Sequence, residues 1–534
     1  MAKEESEQEK KMSRRTYAVV AGAGIAGLAI GAAAGYFAAP PVERTITQTV
    51  TQTTTKTVTA APTPTPKPTP GALPTKDELI ADAEEAGIDW RQCEGEEIHC
   101  AVLSCPWTPP HRELAAIFEE ISGVKVVIDE YSEEVLNDKE FMDWVTTKTF
   151  YYTLINAQAE GLMPALWKAG AAQNFDEYFN NPETCNLDWY DMDDVMPVAR
   201  DKGLMPDGGH YIQPFHCQVG TCYYNEELLA KAGLEPPMNI EEMQTFAKEF
   251  KEKMAPEHYG WAAVYASNPA VVLMMAYLHF MYPYGGTEAA REMDRKPLFF
   301  DEDWNPTISN RKWMIEATKD WIKTADYGPP GLKGWTWVEC HEAFMGGILG
   351  LAFLATPHSA PFAGPESKAS GKAHIYHVPV GLPPDGPIIP HTAAWSWALA
   401  KPIPEKRRRA GALFTIWETS KLPMAYWHRK IPVPWRLSHY TDPGIVAACS
   451  DPTKQAIGFL EADKNAKAAA KVNYWIKIPE ANELYERWGT EIENMYVGKK
   501  SVEQGFKDTE AEWRKVLDEA GSVSYTHLRA HETV

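Results

Sequence analysis

A short apolar run, Ile98 to Leu103, is followed by a Pro-marked loop and then by Leu114, Ile117, Phe118 and Ile121 at helical spacing. Gly123 ends that helix, and Val124 to Ile128 is a β-branched run. Strand, helix and strand in this order are usually joined as a parallel crossover, so this part of the chain is expected to be α/β. In such a sheet the ligand-bearing loops lie at the carboxyl ends of the strands. Trp107 and Tyr131 stand at those ends.

The same reading extends along the chain. Tyr223-Tyr224-Asn225 leads into a short helix ending at Gly233. Asn239 with Glu242 three residues on is a capping-box pattern, and Met243, Phe246, Ala247, Phe250 and Met254 lay one apolar stripe. Near the end, Leu484, Trp488, Ile492 and Met495 form a helix stopping at Gly498, and Ser501 with Gln504 caps another that runs to Gly521. Lys406 to Arg409 opens the helix that carries Leu413, Phe414, Ile416 and Trp417, and reads as a solvated face with no partner.

The first 75 residues cannot build a core. Lys10, Lys11, Arg14 and Arg15 precede Ala18 to Ala39, 22 residues without a charge, about 33 Å as a helix and long enough to span a bilayer. Basic residues on the N-terminal flank keep that flank in the cytoplasm and place the rest outside. Residues 1–17 thus form a basic region, and 18–39 a signal or anchor segment. Ser13-Arg14-Arg15 resembles a twin-arginine export signal; an ordinary Sec signal is the other reading. Retention as an anchor is favoured over cleavage, because the small-residue site Ala32-Ala33-Ala34 lies inside the apolar run. Thr45 to Thr69 holds 12 Thr in 25 residues, with Pro alternating at 62, 64, 66, 68 and 70, so 40–76 reads as an extended, disordered stalk. At the other end, 522–534 breaks the preceding pattern and reads as a non-native tail.

Composition narrows the function. Fifty-two Lys+Arg against 73 Asp+Glu leave a net charge of -21, which repels phosphate backbones, so no nucleic-acid partner is expected. With 44% hydrophobic residues the remainder can bury a sizeable core. Nineteen Trp, 23 Tyr and 18 Phe exceed what filling that core requires, which leaves aromatic rings for a ligand. The eight cysteines are an even number in an exported chain and are compatible with some disulfides, though the pairing is not readable. Their spacing fits neither a redox pair nor zinc knuckles, and neither metal nor cofactor is expected.

Four stretches in order resemble the family 1 extracellular solute-binding proteins of ABC importers, the maltodextrin- and sugar-binding type. They are YYNEELLAKAGLEPPMNIEEMQTFAKEF at 223–250, PPGLKGWTWVECHEAFMGGILGLAFL at 329–354, VPVGLPPDGPIIPHTAAWSWALAKPIPEKRRRAGALFTIWET at 378–419, and IPEANELYERWGTEIENMYVGKKSVEQGFKDTEAEWRKVLDEAG at 478–521. The resemblance implies an α/β, two-lobed periplasmic-binding-protein-like fold of the class II type, with an interlobe cleft and C-terminal helices. Lobe 1 is then 77–216 with 379–432, and lobe 2 is 217–378 with 433–521. It also implies a monomeric receptor outside the cell that closes on a carbohydrate or sugar alcohol and delivers it to membrane permease subunits. One departure bears on the ligand: Leu354-Ala355-Thr356-Pro357-His358 stands where the family often has a Trp.

Sugars present apolar C–H faces edged by hydroxyls, so their sites use flat rings and planar polar side chains. By resemblance the inward positions are Trp107, Tyr131, Asn156, Gln158, His216, Gln218, Thr356, His358, Trp395, Trp397, Trp435, Arg436 and Tyr485. One of Trp395 and Trp397 is expected in the core, so that both do not line one cleft. His216 and His358 also read as ordinary polar residues, and Arg436 as a structural ion-pair partner. Two other functions stand beside the sugar receptor. One is a receptor for a polyamine, peptide or metal chelate, and the other an exported glycoside hydrolase. No HExxH, GxSxG, P-loop or dinucleotide motif appears, and no catalytic residue is assigned.

Overall fold

The computed structural model describes residues 71–105, 108–158, 161, 163–267, 270–295, 298–301, 303–378 and 387–520. The basic region, the signal or anchor segment, most of the stalk, and the tail lie outside the described residues.

The opening crossover forms as its sequence predicts. Strand β1 (Glu97–Leu103) and β2 (Lys125–Tyr131) pair in parallel, joined by the helix Thr108–Ser122, which ends at Gly123 with φ +68. That left-handed turn suits glycine, which has no Cβ to clash. Strand β3 (Leu154–Gln158) pairs in parallel on the other side of β1.

Four further strands complete the sheet: β4 (Ile212–Asn225), β5 (Leu351–Ala355), β6 (Ala373–Tyr376) and β7 (Thr392–Leu399). The order is β2-β1-β3-β7-β4-β5, with β6 also on β4. Every pairing beyond β3 is antiparallel. β4 is the long element. Its first part, Ile212 to Val219, pairs with β7, and its second, Gly220 to Asn225, pairs with β5 and β6. A register shift at Pro214/His216 interrupts the first part, as expected where a proline sits in an interior strand.

Side chains collect into two large cores. The first contains Ile98, Phe118, Leu154, Phe215, Trp397 and Trp417. The second contains Tyr223, Phe250, Tyr277, Trp321, Phe353 and Trp488. Among the described residues the chain changes core three times: within β4, between Ile389 and Trp395, and between Trp435 and Ala456. The helices read from sequence supply much of the second core. In Ile240–Met254, Met243, Phe246, Ala247 and Phe250 are buried, and Asn239 Oδ1 accepts from the Glu242 amide at 2.8 Å. Glu242 itself reaches back to the Met238 amide, one residue earlier than a capping box requires. The C-terminal pair is Ala481–Tyr496 and Val502–Glu519, the second capped by Ser501.

Trp395 and Trp397 correct one expectation. Alternation along a strand separates i from i+1, whereas residues two apart share a face. Both indoles belong to the first core, so the pair is not divided between core and cleft. Cys93, Cys100, Cys185, Cys222, Cys340 and Cys449 are free thiols.

A buried ion pair ties the third crossing together. On the helix Phe459–Ala469, Asp463 Oδ2 accepts from Lys467 Nζ at 2.8 Å and from the Tyr440 hydroxyl at 2.6 Å, while Lys467 also donates to the Pro434 carbonyl at 2.6 Å. Both charges are fully shielded from water. Removing one leaves the other buried and uncompensated, which costs about 3–5 kcal/mol. Lys467→Met is therefore expected to lower the urea unfolding free energy by about that amount. Adding Asp463→Leu should recover most of the loss; a double variant no more stable than the single one would contradict this account.

Candidate functional site

The place where β4 leaves one core for the other is held by polar groups rather than by packing alone. The Val219 amide donates to Thr356 Oγ1 at 3.3 Å, and the Gly220 amide to the His391 carbonyl at 3.0 Å. Thr392, which opens β7, accepts from Lys202 Nζ at its carbonyl (2.7 Å) and hydroxyl (2.9 Å), and from the Trp475 indole at 2.6 Å. Lys477 spans toward the same region, donating to the carbonyls of Asp201, Lys202 and Leu204 at 3.3–3.4 Å. The fit is close. A Cβ on Gly220 would lie 2.4 Å from His391 Nδ1 and 2.8 Å from Phe353 Cζ.

Most of the residues named from sequence lie along this junction or beneath it. Tyr131 ends β2, half-buried, with its hydroxyl 2.5 Å from that of Tyr152 and Lys139 Nζ 4.8 Å from its ring centroid. Gln158 ends β3, also half-buried, and is opposite Trp395, which in turn is opposite His216 on β4. Gln218 is half-buried at the crossing itself. Thr356 and His358 follow β5, which meets β4 at Gly220. Of these segments, β3, β7, β4 and β5 are neighbours in the sheet, whereas β2 with Tyr131 lies at its edge, with β1, β3 and β7 between it and β4. Trp107 lies outside the described residues.

The others are deeper. Asn156 is buried and bridges strands, accepting from the Leu103 amide at 3.3 Å and donating to the Ser396 carbonyl at 3.4 Å. Trp397 donates to Glu418 Oε2 at 2.5 Å, and Trp435 to the Phe215 carbonyl at 3.0 Å. Arg436 is fully buried; it donates to the carbonyls of Tyr190, Asp191 and Thr419 at 3.0–3.1 Å and lies 3.6 Å from Asp194. The Tyr485 hydroxyl accepts from the Ile476 amide at 2.7 Å. In this conformation these groups spend their hydrogen bonds on the protein.

Sequence reasoning missed two side chains at the junction. His341 and Trp337 sit four residues apart on the helix Trp337–Met345, and His341 Nδ1 is 2.7 Å from His358 Nδ1. The i, i+4 spacing was legible, but the contact with a residue beyond β5 was not. The buried imidazoles of this region resist charge. Burial pushes both His216 and His391 down to about 3.

The chain belongs to the bacterial extracellular solute-binding proteins: that family's model matches residues 110–415, more than half of its length. It is 26% identical over 245 residues to a mannitol-binding protein of Pseudomonas aeruginosa, an alignment covering 43% of this chain and half the length of that relative. It is 20% identical over 459 residues to an erythritol/L-threitol-binding protein of Mycolicibacterium smegmatis, covering 77% of this chain and 84% of the relative. In fold it matches an ABC transporter solute-binding protein of Agrobacterium radiobacter K84 in complex with ribitol, with TM-score 0.65 and 21% identity over 79% of this chain and 99% of that one.

A pH dependence follows from the neutral imidazoles. In the unfolded chain a histidine titrates near 6.5, so the stability contributed by His216 and His391 is fully present above that pH and is lost as pH falls toward their folded values of about 3. Between pH 6.5 and 5 each should cost about 2 kcal/mol, read as a falling urea midpoint. An unchanged slope in a His216→Gln/His391→Gln variant would remove these residues as its cause.

Proposed function

We propose that this protein is the extracellular receptor of an ABC importer, closing reversibly on a sugar alcohol or related carbohydrate and passing it unchanged to membrane permease subunits. The observation that carries the reading is β4, one continuous strand hydrogen-bonded to both halves, with half-buried Gln218 at its crossing, His358 just after β5 and Gln158 at the end of β3. Hinge closure around a ligand needs just such a shared connection. The named ligands of its relatives, mannitol and erythritol or L-threitol, support a polyol, as does the ribitol in the matching structure. Under this reading the lobes are 77–216 with 379–432 and 217–378 with 433–521; because Ile388 and Ile389 pack in the second core and Val433 and Trp435 in the first, the second and third crossings are better drawn between Ile389 and Trp395 and between Trp435 and Ala456. Tyr131, Gln158, Gln218 and His358 face the ligand first; the buried members of the sequence set support them from behind.

The domain acts as a monomer, does no chemistry on its ligand, and is tethered outside the cell by residues 18–39 and the Thr/Pro stalk. Titration of the full chain with D-mannitol, ribitol, erythritol and maltose, followed by tryptophan fluorescence and small-angle scattering, is expected to give saturable binding and a smaller radius of gyration with at least one polyol. The ligand should be recovered intact. A shape indifferent to every member of the panel, or turnover of any of them, would overturn the proposal.

A further inference from the structure

The residues that follow the Thr/Pro stretch are built into the body from Gly71 onward. Gly71 turns with φ +92, and Pro74 is buried. Thr75 opens the helix Lys76–Glu85 through a capping box with Glu78. That helix lays Leu79 and Ala83 into the first core, and Lys76 Nζ pairs with Glu120 at 2.7 Å. The Ala83 carbonyl accepts from the Trp90 indole at 2.7 Å.

A small polar device faces residues 71–75. Arg429, near the end of the helix Lys421–Lys430, donates from Nη1 to the Ala72 carbonyl. Its other nitrogens grip Asp442, Nε to Oδ1 at 2.8 Å and Nη2 to Oδ2 at 2.6 Å. The planar guanidinium fork fits a carboxylate with two parallel bonds and still has an N–H for a carbonyl, which an ammonium could not arrange in one plane. Asp442 Oδ1 also accepts from the amides of Gly444 and Ile445, both at 2.9 Å, and so caps the helix Pro443–Ser450. Each side chain of the pair is only 15% exposed. Gly444 gives the guanidinium its room, since a Cβ there would lie 2.6 Å from Arg429 Cδ and Nε. The same glycine faces Gly71, whose own Cβ would stand 3.7 Å from Gly444 Cα. Asp442 and Gly444 belong to the third passage between the cores, after Trp435 and before Ala456. A brace between two helices would need only Arg429 and Asp442; it gives no reason for the bond to Ala72 or for two facing glycines.

We propose that Arg429, Asp442 and Gly444 form a docking site whose occupant is residues 71–75 of the same chain, so that the stalk joins the body at a fixed mount rather than at a swivel. This mount rests on the tether reading above and places the junction at Gly71. Because Leu79 and Ala83 belong to the first core, the half held by the mount is the first. Closing on a ligand then swings the second half relative to the mount.

The test is time-resolved fluorescence anisotropy of the full chain in detergent, with one fluorophore attached to an azido side chain introduced at Leu73, which is 42% exposed. A second preparation labelled at Thr55, in the Thr-rich stretch, is the reference. The Leu73 label is expected to lose its anisotropy mainly with the tumbling of the whole body, and the Thr55 label mainly by fast local motion. Arg429→Met removes the donor to Ala72. Gly444→Ala crowds the guanidinium while keeping its charge, and serves should Arg429→Met fail to fold. In each variant the amplitude of fast motion at Leu73 should rise about twofold or more, with the far-ultraviolet circular dichroism of wild type retained. A Leu73 label as mobile as the Thr55 label in wild type overturns the mount, as do folded variants that leave its decay unchanged. Sedimentation with membranes separates the two readings: a chain whose Leu73 label is held but which stays off membranes keeps the docking site and overturns the tether reading alone.

Discussion

The backbone of Ile212–Asn225 hydrogen-bonds to β7 along its first part and to β5 and β6 along its second, so the same fourteen residues belong to both halves of the molecule. Phe215 and Cys217 pack in the first core, Cys222 and Tyr223 in the second. Between them, Gln218 to Gly220 belong to neither core, although Val219 is buried, and the amides of Val219 and Gly220 are answered by the Thr356 hydroxyl and the His391 carbonyl.

The other crossings are built in the same way. Lys202 and Trp475 converge on Thr392, and Asp463, Lys467 and Tyr440 hold the chain near Pro434. Buried polar groups are costly unless each finds a partner, and directional bonds select one arrangement where apolar contact would accept several. Arg436 shows the same pattern at its two Nη atoms, while its Nε is buried without a hydrogen-bond partner among the described residues. Three backbone carbonyls and Asp194 occupy its guanidinium, with the rings of Tyr190 and Trp435 at 4.6 and 5.3 Å from Cζ.

Local signals carried much of the fold. The crossover from β1 to β2, the Asn239-capped helix with its apolar stripe, and the Ser501 cap were all legible, because each depends on residues within a turn or two of one another. The candidate site was legible only in part. Tyr131 could be placed at a strand end from the pattern of the strands and Gln158 came only from the resemblance, but burial of Trp435, Arg436 and Tyr485 could not be read, since it depends on segments far away in sequence. His341 is the clearest omission: its partner lies seventeen residues on, beyond β5, and nothing in local spacing announces the meeting.

By itself the sequence determined where the first crossover and the capped helices form, that residues 45–70 are too rich in Thr and Pro to build a core, and that the chain is strongly acidic. These follow from periodicity, capping chemistry and composition, which act over short distances or add up over the whole chain. Only the tertiary structure decided which tryptophans among the described residues are core and which reach water, which histidines meet, and that one strand serves two cores. Such outcomes depend on contacts between distant segments, and those exist only once the sheet has set its order and register.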